Sequence, residues 1–452
     1  MQLTKDKNFY KTIIKISIPI TLQNLITVSV NMADTVMLGK LGEIQLSASS
    51  IGGHLFFMLI ILMFGLGGGA SVMSAQYYGK KDINSIHSIL NVTYKIAIIL
   101  SIIFFLISIL LPKEFMQLFT NDKYVINQGI KYIRIVSISY IFYSLTISTN
   151  SVLRAVKNVK APMVINSMSL LINITFNYIL IFGRFGIRPL GIQGAAIATV
   201  ISRCSEFLLV IIYMIFFEKK IKYKINLIKN NNKDIRNKFI RVTTPIFFNE
   251  LFWTIGSSTI SIIVARMGTK VVAANSINNI VYQFALLFIQ GLSSASSVII
   301  GNTIGKGLYK KVKEYANTIA ILSLICGIIA AIVVYVIRIF IVDIYNVSIQ
   351  TKLIAKDIMI ATSIGIFFRS LGSTIMMGIL RGAGDNKFVF KYEMIFMWCV
   401  AIPLGFIGVF YFKFSIPIVF LLLKSDEILK GIAAYIRVKK GNWINNVTLG
   451  DR

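Results

Sequence analysis

The sequence predicts an all-α integral membrane protein, with twelve transmembrane helices in two six-helix bundles related by a pseudo-twofold axis along the membrane normal. Three observations predict it. Of the 452 residues 56% are hydrophobic and only 14% charged, whereas soluble proteins carry about 25% charged residues. The mean hydropathy is +0.75. The chain also repeats itself at half its own length.

A helix needs about 20 mostly apolar residues to cross roughly 30 Å of hydrocarbon, because unpaired backbone groups are too costly there. Such stretches run over residues 12–38, 48–77, 88–111, 126–150, 162–183, 190–217, 240–265, 273–303, 316–341, 351–380, 388–411 and 413–437. The last is the least apolar, since only Phe414 to Leu423 is continuously so before Lys424, Asp426 and Glu427. Residues 1–15 mix Lys with polar residues and lack a short apolar core before a small-residue cleavage site, so no cleaved signal is expected.

The formal charge is +29, from 47 Lys and Arg against 18 Asp and Glu. On a polar chain this would point to nucleic acid. When bases towards the span ends are counted with the adjoining segments, 31 of the 47 fall on the side of the N terminus and 13 on the other, and Lys95, Arg203 and Arg369 remain inside spans. Basic residues are retained on the cytoplasmic side, so both termini are expected inside. The excess is a topology signal and a basic face for anionic lipid headgroups, with no nucleic-acid partner.

Residues 17–80 match 243–306 without a gap at an offset of 226. Shared residues include Pro19/Pro245, Leu25/Leu251, Gly42/Gly268, Gly65/Gly291, Ser71/Ser297, Gly79/Gly305 and Lys80/Lys306. Further on, SISYIFYSL from Ser137 pairs with SIGIFFRSL from Ser363, and Leu153-Arg154 with Leu380-Arg381 after a one-residue slip. An even number of spans per repeat makes the two halves enter the membrane in the same sense. The expected organisation is a bundle over 1–217, a flexible cytoplasmic linker over 218–241 rich in Lys and Asn, and a second bundle over 242–452. Rocking of one bundle against the other would alternate access to a central cleft.

An ionisable side chain at a helix centre costs about 2.5 to 3.5 kcal/mol on the insertion scale, so each one needs a reason. Asp34 lies about 6 Å inside the outer end of the first span, at about 1.5 Å per residue. Asn173 and Asn177 are i,i+4 neighbours on one face of the fifth span, and Thr199 is in the outer half of the sixth. Together they suggest a polar chamber in the outer half of the first bundle. Asp34 is read as a cation-coupling carboxylate or a helix–helix hydrogen bond, and the two Asn as chamber walls or interhelical glue. In the second bundle Glu250 and Arg369 are expected to meet, either as a structural ion pair or as a coupling site. Glu206 is a secondary candidate, with Arg203 placed to neutralise it by an i,i+3 contact.

Other chemistry has little support. Cys204, Cys326 and Cys399 lie in apolar runs without metal-binding spacing, so neither disulfides nor a resident metal is expected. The only histidines, His54 and His87, have no acid at catalytic spacing, which argues against an embedded enzyme. Nor is GLGGGAS at Gly65 a phosphate loop, for it lies within a span and lacks the GK[ST] ending.

The chain resembles the multidrug and toxic compound extrusion family over essentially its whole length, closest to the branch of clostridia and their relatives. The matching stretches are SIPITLQNLITVSVNMADTVMLGKLG from Ser17, LRAVKNVKAPMVINSMSLLINITFNYILIFG from Leu153, PLGIQGAAIATVISR from Pro189, TTPIFFNELFW from Thr243, GILRGAGDNKF from Gly378 and DEILKGIAAYIRVKKGNWINNVT from Asp426. The resemblance implies an antiporter that exports cationic or amphipathic compounds against inward H+ or Na+. It implies no cofactor beyond the coupling ion, with Na+ bound only in passing at Asp34.

By position, Asp34 matches the family's first-helix coupling carboxylate, and Asn173, Asn177 and Thr199 match the other polar members of that site. The chain departs from the pattern in three places. Asn177 stands where some members have a second carboxylate, Arg369-Ser370 fill the window of a tenth-helix carboxylate, and Lys157-Asn158-Val159 replace Gly-Asn-Thr. The expected setting is a bacterial plasma membrane, with organic cations as substrates and the chain working as a monomer. A lipid-linked oligosaccharide flippase of the same superfamily is the alternative; it would need cationic residues to meet a pyrophosphate, and only Arg369 and Arg203 qualify.

Overall fold

The computed structural model describes residues 3–223, 232–345 and 347–449, and the elements found among them are helices. Ten of these helices are long and apolar enough to cross a bilayer. They include α1 (Lys7–Gly39), α2 (Glu43–Gly79), α3 (Ile83–Leu110), α7 (Lys160–Phe182) and α8 (Ile192–Ile212). The others are α9 (Lys233–Ala265), α10 (Thr269–Gly305), α11 (Tyr309–Ile341), α12 (Ile349–Ser373) with its extension to Leu380, and α13 (Asn386–Phe396) running into α14 (Ile402–Phe410). An eleventh crossing is a pair, α5 (Lys123–Val136) and α6 (Ser139–Ala155), bent by 51°. The short α4 (Pro112–Gln117) precedes it.

The twelfth span expected at 413–437 is not one apolar helix. It is α15 (Ile416–Leu423) and α16 (Ser425–Lys440), broken at Lys424. Asp426, Glu427 and Lys430, whose charges mark the segment in the sequence, are buried within the protein.

By contact the chain forms two compact units. The N-terminal unit comprises residues 22–74 and 82–243, and the C-terminal unit residues 1–21, 75–81 and 244–452. These units do not follow the repeat halves residue by residue, because the start of α1 and the end of α2 pack with the C-terminal unit. Within that unit Thr4 N donates to Thr318 Oγ1 at 3.0 Å and Tyr315 donates to Asp6 at 2.9 Å.

The expected flexible linker over 218–241 is corrected at both ends. The Glu218 carboxylate accepts the backbone N–H groups of Lys220, Ile221 and Lys222, each at 2.8 Å, which curls the chain tightly. His87 then holds the Ile221 carbonyl at 2.7 Å, and Tyr223 donates to Asn91. Residues 233–241 already belong to α9. Residues 224–231 lie outside the described residues.

The repeat is legible in the backbone. Pro19 in α1 and Pro245 in α9 stand at equivalent points inside unbroken helices. The one-residue slip between the halves falls where α12 passes into a π-helical turn, Thr374–Leu380. Such a turn is what one extra residue makes when the helix continues through it.

Candidate functional site

The site begins with three short-range facts about helix faces. Asp34 lies near the end of α1, Asn177 near the end of α7, and Asn173 one turn before Asn177. Asn177 Nδ2 donates to Asp34 Oδ1 and, at 3.0 Å, to Asn173 Oδ1. One amide nitrogen thus ties α1 to α7 and orders both partners. One turn further along each helix stand Leu38 and Ile181, 3% and 0% exposed. They join Ile192 and Ala195 of α8 in one apolar cluster, which covers the hydrogen bond on the side of these helix ends.

Asn173 and Asn177 are themselves 1% and 0% exposed. Asn173 Nδ2 and Asn177 Oδ1 are buried without a hydrogen-bond partner among the described residues. An unmet buried polar group costs about 1 to 3 kcal/mol, so a donor and an acceptor left over beside a carboxylate mark a place built for something besides its own walls. A carboxylate and two amide carbonyls form a hard-oxygen set with a single negative charge. That chemistry suits one monovalent cation or a proton.

Thr199 does not join this network through its hydroxyl, which donates to Ala195 of its own helix at 3.0 Å. Arg203, one turn beyond Thr199, lies within electrostatic range of Asp34. Its guanidinium is committed elsewhere, to Glu206 at 2.8 Å, and it also sits over the Tyr143 ring at 5.1 Å. Glu206 is held in turn by Ser169 at 3.5 Å. Asn166, with its amide oriented as its neighbours require, donates to Glu206 at 2.8 Å and accepts from Gln23 at 3.1 Å. Glu206 is thereby bonded through both of its oxygens.

The C-terminal unit departs from expectation. Glu250 and Arg369 do not pair. Glu250 accepts from Arg381 at 2.8 Å, while Arg369 meets Glu427 of α16. The reason lies in α12: Arg369 is on the part packed against α16, whereas Arg381 follows the π-helical turn, whose extra residue rotates the helix face beyond it. Arg381 also lies 3.8 Å from Glu393 on α13. Lys430 joins Asp426 at 2.7 Å and Glu427 at 3.9 Å.

Sequence reasoning therefore missed Arg381, Glu393, Asp426, Glu427 and Lys430 as members of a buried charge network. Two signals were present. Asp426 and Lys430 have i,i+4 spacing, and Arg381 is the repeat partner of Arg154, itself buried enough to bond Ser151 at 3.2 Å.

Comparison with known proteins fits this architecture. The MatE family model matches residues 19–179 and 245–407, one match in each repeat. The probable multidrug resistance protein YoeA of Bacillus subtilis is 24% identical over 406 residues, covering 88% of this chain and 87% of its own. The probable multidrug resistance protein NorM of Thermotoga maritima is 24% identical over 450 residues, covering 97% and 94%. Among solved structures, the outward-facing conformation of a multidrug resistance MATE family transporter of the MOP superfamily superposes with a TM-score of 0.87 at 16% identity, over 97% of this chain and 98% of that one. A MOP superfamily transporter from Pyrococcus furiosus, described as having a binding pocket of reverse polarity, gives 0.86 at 17% identity over the whole of both chains.

Proposed function

The chain belongs to the MatE family, and we propose on that premise that it exports cationic or amphipathic organic compounds in exchange for inward H+ or Na+. Asp34 is the coupling carboxylate, served by Asn173 and Asn177, with Thr199 on the neighbouring helix. The single observation that carries this reading is the hydrogen bond from Asn177 to Asp34, beside two buried amide atoms that none of the described residues satisfies. The carboxylate accepts a proton or sodium ion from outside, or by competition the positive charge of a substrate, so that loading the ion expels the compound. One charge moving down about 100 mV supplies roughly 2.3 kcal/mol, enough for about a fiftyfold concentration ratio. Both termini face the cytoplasm of a bacterial cell, and the monomer is the working unit.

The flippase alternative finds less support. It needs free cations, and Arg203 and Arg369 are each spoken for by a carboxylate.

Inverted membrane vesicles test the proposal, with ethidium as substrate and a pH gradient and a sodium gradient imposed separately. Transport driven by at least one of the two, and lost in Asp34→Asn at equal protein level, is expected. Undiminished transport by that variant under both gradients would remove Asp34 from the mechanism.

A further inference from the structure

We propose that the C-terminal tail, residues 441–448, is a latch that holds the inner end of α2 against α10, and that Gln76 is its catch and a positioning residue of the transport cycle.

The inner ends of α2 and α10 cross at a point the repeat itself defines. Gln76 and Asn302 are equivalent at the offset of 226, as are Gly79 and Gly305. A Cβ on Gly79 would stand 2.1 Å from the Asn302 carbonyl oxygen, and one on Gly305 would stand 1.8 Å from the Gln76 carbonyl oxygen. The contact is reciprocal and backbone to backbone, so only glycine fits on either side. Next to it a Cβ on Gly301 would stand 2.9 Å from that of Ala75.

The latch is laid over one side of this symmetric crossing. Gly441, with φ of 81°, ends α16 and turns the chain back. Trp443 is fully buried and donates to Val438 at 2.9 Å, which anchors the turn. Asn445 N donates to Ala383 at 2.9 Å, setting the tail on the loop after α12. The tail then reaches Gln76. The Gln76 amide donates to the Gly382 and Asn445 carbonyls, each at 3.2 Å, and its oxygen accepts from Val447 N at 2.8 Å. Lys80 adds a bond to the Thr448 carbonyl at 3.1 Å. Gln76 is 0% exposed, so a glutamine with three of its four hydrogen bonds met in this way has no solvent to fall back on. Its repeat partner Asn302 turns its amide to Val298 of its own helix, at 2.8 Å.

The mechanical consequence follows from how α2 is shared. Its body to Ser74 packs with the N-terminal unit and its last residues, 75–81, with the C-terminal unit. A cycle in which the N-terminal unit carries α2 along must pull residues 75–81 off α10 and off the tail. The tail therefore sets how often this end opens, and tightening or cutting it shifts that population.

The test uses the full chain with Cys204, Cys326 and Cys399 replaced. With Ala75→Cys as reporter, a membrane-impermeant maleimide is applied to the cytoplasmic face of inverted vesicles. Adding Gln76→Ala should speed labelling by at least about fivefold, the weight of one net hydrogen bond. Gln76→Glu, which keeps the bond from Val447 and loses the two donated ones, should fall between. An unchanged labelling rate in Gln76→Ala would overturn the latch. Labelling needs neither substrate nor coupling ion, so its outcome is distinct from failure of the proposed export function. Size-exclusion profiles in detergent separate a loosened latch from a misfolded protein.

Discussion

The side-chain amide of Asn177 on α7 donates to the carboxylate of Asp34 on α1, and it does so from a position with no solvent exposure. This makes the two residues one unit: whatever neutralises Asp34 also decides which way the Asn177 amide turns. A sodium ion would call for its oxygen, a free carboxylate for its nitrogen.

Asp34→Asn removes the charge and keeps the shape. Ion-driven ethidium efflux should fall at least about tenfold, the effect of losing roughly 1.4 kcal/mol of coupling. Protein level and melting temperature should change little. Vesicle efflux and thermal unfolding of the purified protein check this together.

Asn177→Asp supplies the second carboxylate that this chain lacks. Two carboxylates in contact repel when both are charged, so the pair favours a bound cation or a shared proton. Sodium should then protect the variant from thermal unfolding more strongly than it protects the parent at the same pH. Equal protection would mean that the ion does not reach these residues.

Glu427→Gln should be the most damaging single change in the C-terminal unit. It leaves Arg369 buried without its partner and withdraws one of the two carboxylates of Lys430, and breaking such a pair costs about 3 to 5 kcal/mol. Removing both partners, as Arg369→Met with Glu427→Leu, should be milder than Glu427→Gln alone. Glu250→Gln should be better tolerated, because Arg381 retains Glu393. Yield of monodisperse protein reads out all three.

Gly194→Ala tests the packing that sets the chamber's geometry. A Cβ there would stand 2.6 Å from the Leu180 carbonyl, forcing α8 away from α7. Overpacking of this kind costs about 1 to 3 kcal/mol. The melting temperature should drop, and sodium or proton dependence of efflux should weaken along with it.

Local spacing made the first site readable. The i,i+4 relation of Asn173 and Asn177 and the nearness of Asp34 to its helix end are properties of one helix at a time, and the bond between α1 and α7 follows once the helices pack. The partner of Arg369 could not be read that way. Glu427 is 58 residues distant, in the segment whose charges made it the weakest span, and the choice between Glu250 and Glu427 turns on a helix face set by the π-helical turn. That turn was visible only as a one-residue slip between the halves. The anchoring of residues 218–223 was hidden for a related reason: Lys- and Asn-rich composition signals a tether, while the Glu218 carboxylate that curls it is a single residue.

The break at Lys424 has a bearing on how the protein is made. Arg369 enters the membrane well before Glu427 leaves the ribosome, and the broken segment of α15 and α16 brings its own unfavourable charges to the insertion machinery. Neither is comfortable in lipid without the other. Completion of the C-terminal unit is therefore a late, cooperative step, and a nascent chain stalled before it should be recognised by membrane quality control as unfinished.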